Sequence, residues 1–120
     1  MKAKNLIKSF HYAFRGFMYT VRTQRNFRIH CAAALIALAA ALVLQLAWLE
    51  LALLLSAVFG VLVCELMNTA IEKTIDMVTE DFNPLAMVAK NCAAAAVLLA
   101  SIYALAVGLI LFLPRLATLL

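Results

Sequence analysis

Acidic side chains are scarce in this chain: of 120 residues only six are Asp or Glu, against ten Lys and Arg. Glycine is scarcer, with three residues, Gly16, Gly60 and Gly108, each standing alone. No glycine-rich loop can therefore cradle phosphates with backbone N–H groups, so any phosphate site must be built from side chains of several helices. The three cysteines, Cys31, Cys64 and Cys92, sit inside or beside apolar runs without metal-ligand spacing. Neither a disulfide nor a structural zinc site is expected from them. Basic and aromatic residues do not interleave as they do in single-stranded nucleic-acid binders, and nucleic acid is not an expected partner.

What the chain has in excess is apolar surface. At 68% hydrophobic residues and a mean hydropathy of +1.04, one domain of this size exceeds what a soluble core can hide. The expected class is an all-α integral membrane protein. Residues 1–26 read as an amphipathic surface helix, with Leu6, Ile7, Phe10, Phe14, Phe17, Met18 and Val21 on one side and Lys4, Lys8, Arg15 and Arg22 on another. A basic region this long and this aromatic does not fit a cleaved signal peptide. Membrane helices are predicted over 28–47, 49–79 and 86–113. Trp48 would anchor at one interface, Asp81, Asn83 and Pro84 would turn the chain, and Pro114 would end the last helix.

The scarce acids are concentrated. Five of the six (Glu65, Glu72, Asp76, Glu80 and Asp81) follow the uncharged run Leu51–Cys64. On a helix, Glu65, Asn68, Thr69, Glu72 and Asp76 share an arc of roughly 100°. Carboxylates stacked this way repel one another unless a cation lies among them. Glu65 follows Trp48 by 17 residues, about 26 Å along a helix, which predicts a place near the opposite headgroup boundary. Nine of the ten Lys and Arg lie before Ile29 or between 73 and 90, leaving Arg115 alone. In a three-span layout this puts the amino terminus and the acidic stripe in the cytoplasm, where ATP is found, and the carboxyl terminus outside.

The run Glu65-Leu66-Met67-Asn68-Thr69-Ala70-Ile71-Glu72, followed by Asp76, Pro84-Leu85-Ala86 and Ala89-Lys90, resembles the signature of the bacterial diacylglycerol kinase family. Asn26-Phe27-Arg28-Ile29-His30 after a basic amphipathic start resembles its undecaprenol kinase branch. The likeness runs from about Ser9 to Pro114. It implies a homotrimeric bundle in the bacterial plasma membrane that moves the γ-phosphate of MgATP onto the hydroxyl of a lipid alcohol, undecaprenol or diacylglycerol. Position by position, it implies Glu65 as general base and Glu72 as ligand of the nucleotide-bound Mg²⁺. Asn68 and Arg28 would orient the reacting groups, and Lys90 would contact phosphate. Tyr12, Asp81, Asn83 and Asn91 would surround the nucleotide. The chain departs from the family at Gln24, where relatives often place a second metal-binding glutamate that a neutral amide replaces only weakly. It departs again at Asn91, in place of Asp, and at Phe82-Asn83, in place of Tyr-His.

Other side chains are expected to be structural. His30 would cap or pack at the mouth of the first span, Arg28 could pair with a carboxylate of the second helix or touch a lipid phosphate, the pairing being favoured, and Ser56, Ser101 and Tyr103 would donate hydrogen bonds between helices. Two other functional classes share part of the pattern. A carboxylate-relay transporter would favour a charge near mid-span, whereas these begin at the interface. A silent membrane oligomer would accommodate the departures but gives no reason for Glu65, Asn68, Glu72 and Lys90 to stand together.

Overall fold

The computed structural model describes residues 5–120. They form four helices: α1 (Leu6–Thr23), α2 (Arg25–Val43), α3 (Trp48–Val78) and α4 (Pro84–Leu119). The first four residues of the expected 1–26 helix, Lys4 included, lie outside the described residues. Helices α2, α3 and α4 are each long and apolar enough to cross a membrane. The 31 residues of α3 and 36 of α4 extend about 46 and 54 Å at 1.5 Å per residue, beyond a hydrocarbon core of about 30 Å.

Helices α3 and α4 make the most extensive pairing in the chain. The central cluster joins Ala41 of α2, Leu54 and Ala57 of α3, and Val107 and Leu111 of α4. Alanine at these crossings lets backbones approach closely, which suits packing in a medium that offers no hydrophobic drive between helices. Many large apolar side chains face outward, among them Leu35, Ile36, Leu42, Ile102, Leu105 and Ile110. Ser56 does not donate across helices. It bonds back to the Leu53 carbonyl at 2.7 Å, within α3.

Three junctions set the geometry. Gln24 is extended (φ −113°, ψ 109°) and serves as both the last cap of α1 and the first of α2. Phe27 is fully buried at this joint and meets Phe17 edge-on, with ring centroids 5.1 Å apart. At the end of α2, Leu46 N–H donates to Ala41 O at 3.0 Å and Gln45 N–H to Leu42 O at 3.3 Å. Gln45 takes the left-handed φ of 54° that this type of helix ending requires. Between α3 and α4, the Asn83 carboxamide oxygen accepts from Leu85 and Ala86 N–H at 2.9 and 3.2 Å, with Pro84 as the first helical residue. Such capping satisfies N–H groups that have no partner inside the helix.

Pro114 does not end α4, which continues to Leu119. A proline this late removes one backbone donor, and the ending turn is held from the side. Arg115 donates to Leu111 O at 3.1 Å and, through both terminal nitrogens, to the Glu50 carboxylate at 2.6 and 2.8 Å. Glu50 also accepts from Ala47 N–H at 3.0 Å at the start of α3. The far ends of α3 and α4 are thereby tied together.

Candidate functional site

Glu65 lies in the interior of α3 with its side chain only 6% exposed. An unpartnered carboxylate there would be costly, and the partner comes from another helix. His30 of α2 brings Nε2 to 3.3 Å from Glu65 Oε1. Thr69 donates to the Glu65 backbone carbonyl at 3.0 Å and is itself buried. His30 therefore does more than pack at the span mouth. Among the described residues it is also the single polar side chain on the wall of an apolar cavity of about 420 Å³ between α2, α3 and α4, whose lining includes Ala34, Ala57, Val61, Ala104 and Gly108.

One turn after Glu65, Asn68 Nδ2 donates to Glu72 Oε1 at 3.2 Å. A carboxylate can only accept, so this bond fixes which way the amide points. Asn68 Oδ1 is left buried without a partner among the described residues. Farther along, Asp76 Oδ1 pairs with Lys90 Nζ of α4 at 2.8 Å, both side chains being partly exposed. The helical face predicted from spacing thus carries a buried carboxylate, an amide–carboxylate pair and an ion pair in succession. Such a face can offer a proton acceptor, oxygen donors for a cation, and a positive charge for an anion.

The remaining expected residues are placed differently. Arg28 reaches no carboxylate of α3. Its Nη1 donates to the carbonyls of Val21 and Arg22 at 2.9 and 3.1 Å, a cationic cap on the negative end of α1. Gln24 occupies the α1–α2 joint, its amide donating to the Thr23 hydroxyl at 3.4 Å. Tyr12 is exposed on α1, with its ring centroid 6.1 Å from that of His11. Asn83 is engaged as the α4 cap. Asp81 accepts from the Thr79 hydroxyl at 3.3 Å through its backbone carbonyl, and Asn91 is exposed on α4.

Among the described residues no three His, Cys, Asp or Glu side chains gather to hold a metal by themselves. Glu72 beside the unpartnered oxygen of Asn68 fits a smaller task, that of a metal carried in on phosphates. Mg²⁺ is commonly held by one or two carboxylates together with substrate phosphates and water.

The profile of the prokaryotic diacylglycerol kinase family matches residues 11–112, which include every one of these groups. The chain belongs to that family. It is a lipid kinase. Undecaprenol kinase from Bacillus subtilis is 41% identical over 109 residues, 91% of this chain and 89% of the relative. A diacylglycerol kinase from Synechocystis is 45% identical over 118 residues, 98% of this chain and 67% of the relative. Diacylglycerol kinase from Escherichia coli is 32% identical over 99 residues, 82% of this chain and 81% of the relative.

Proposed function

We propose that the protein transfers the γ-phosphate of MgATP to the hydroxyl of a membrane lipid alcohol, undecaprenol or diacylglycerol, at the cytoplasmic face of a bacterial plasma membrane. The observation that carries this reading is the Glu65 carboxylate, buried and paired with a histidine, one turn before an amide–carboxylate pair with an unused oxygen. Family membership supplies the phosphoryl donor and the lipid acceptor.

In the reaction, Glu65 accepts the proton of the lipid hydroxyl as its oxygen attacks the γ-phosphorus. The bond to the bridging oxygen of ADP breaks, and ADP carries away its electron pair. Glu72 and Asn68 Oδ1 would hold the metal that arrives with the nucleotide, which when bound would supply positive charge to offset that of the phosphates. Lys90 contributes a positive charge to the phosphates and has to exchange some of its contact with Asp76 to do so. Asn68 keeps the Glu72 carboxylate turned toward the nucleotide. Arg28 acts by holding the end of α1 through the Val21 and Arg22 carbonyls, and Tyr12 and Gln24 would take part in the nucleotide's surroundings as the family resemblance implies. Asp81, Asn83 and Asn91 frame the nucleotide from the turn and the first part of α4.

In this reading α1 lies in the headgroup plane. Exposed Leu6, Ile7, Phe10 and Phe14 dip toward the acyl region, while Lys8, Arg15 and Arg22 meet phosphates. The outward apolar faces and the small residues of the spans support assembly into a homotrimer. Purified protein in detergent, given labelled ATP with undecaprenol and diacylglycerol in parallel, tests the proposal. Label should appear in at least one lipid, and the better acceptor identifies the substrate. Label in neither would refute the reading.

A further inference from the structure

We propose that His30 is a positioning residue for the general base, an inference that rests on the kinase reading of Glu65. The two groups come from different helices and meet at 3.3 Å, Nε2 to Oε1. A proton on His30 Nε2 would let the imidazole donate to this carboxylate oxygen, since an ionised carboxylate can only accept. With Oε1 facing the imidazole, Oε2 is the oxygen left to take the lipid proton. A free carboxylate on a helix face samples several rotamers, and a contact from a neighbouring helix selects one.

The surroundings of His30 make the contact specific. Phe27, one turn earlier on α2, is fully buried against Phe17 and fixes that part of the helix. Arg28 is held on the Val21 and Arg22 carbonyls. His30 also lines the apolar cavity, where among the described residues no other polar side chain stands on the wall to offer the imidazole an alternative partner. His30 thus stands between the cavity and the base. It is placed to turn the carboxylate toward a hydroxyl at the headgroup end of an apolar chain.

The test is a double-mutant cycle in the full-length protein, read as kcat, as KM for MgATP and for lipid, and by thermal melting. His30→Phe should lower kcat by about 10–100-fold, the scale of a misoriented catalytic group, with little change in KM for MgATP. His30→Gln, whose amide reaches nearly as far as Nε2, should restore most of the rate, whereas the shorter His30→Asn should not. In a Glu65→Gln background, His30→Phe should cost nothing further, because there is no longer a base to aim.

Imidazole nitrogen shifts supply a readout independent of turnover, and the His30 Nε2 signal should move on Glu65→Gln. Wild-type kcat in both His30→Phe and His30→Asn, losses that add fully to that of Glu65→Gln, or an unmoved Nε2 signal would each overturn the proposal. If His30→Phe fails to fold, the Gln and Asn variants carry the comparison. A wild-type protein that phosphorylates neither lipid would instead overturn the kinase reading, and the positioning role would fall with it.

Discussion

Asn68 and Glu72 form a hydrogen-bonded pair on consecutive turns of α3, 3.2 Å from amide nitrogen to carboxylate oxygen, and the bond leaves Asn68 Oδ1 buried without a partner. Buried oxygens are rarely left so, and a ligand that supplies a cation would satisfy this one.

Glu72→Gln should therefore weaken MgATP binding as well as turnover, with Gln24 already neutral and no second anionic ligand expected nearby. High Mg²⁺ or Mn²⁺ should restore part of both. Gln24→Glu should tighten MgATP binding. Calorimetry of nucleotide binding on the two variants checks both expectations.

Lys90 is held by Asp76 at 2.8 Å. If the same ammonium serves the phosphates, Lys90→Met should raise KM for MgATP, and this loss should shrink at high ionic strength, where a partly exposed charge is screened. Asp76→Asn releases Lys90 and should not mimic its removal. Steady-state kinetics at two salt concentrations separates the two variants.

The Glu50–Arg115 pair, two bonds of 2.6 and 2.8 Å, lies at the opposite ends of α3 and α4 from Glu72 and Lys90. Glu50→Gln should lower the melting temperature in detergent and leave kcat unchanged. Exchanging the two charges in a double variant should recover part of the lost stability. A fall in kcat without a fall in melting temperature would mean the pair serves the reaction instead.

Much of this was legible in the sequence because it follows from period and charge. The three apolar helices come from long uncharged runs, and the stripe from Glu65 to Asp76 comes from 100° steps along α3. The pairings between helices were harder to read. His30 and Glu65 are separated by 34 intervening residues, and periodicity says nothing about which groups meet across helices. A signal was nonetheless present: with three antiparallel spans, the start of α2 and the middle of α3 fall at the same end of the bundle. The same reasoning would have joined Glu50 to Arg115, since α3 begins where α4 finishes. Proline's missing donor predicts a stop at Pro114, but the arginine that follows it holds the last turns in place. Arg28 was expected on a carboxylate, whereas the nearer demand came from the bare carbonyls at the end of α1.

Topology and assembly have their own test. With Lys90 cytoplasmic and Arg115 outside, a membrane-impermeant reagent should label a cysteine introduced at 117 from outside and spare one at 80. The active species in detergent should have the mass of three chains. A monodisperse monomer with full activity would refute the trimer.

The most direct measurement is phosphate transfer from MgATP to lipid by Glu65→Gln, taken alongside MgATP binding by the same variant. The substitution keeps the shape of the side chain and removes its basicity. Turnover should fall by about 10²–10⁴-fold, the range of general-base catalysis, while MgATP binds as in the wild type. Undiminished transfer, or loss of nucleotide binding with Glu72→Gln leaving it intact, would contradict the assignment of Glu65 as the base.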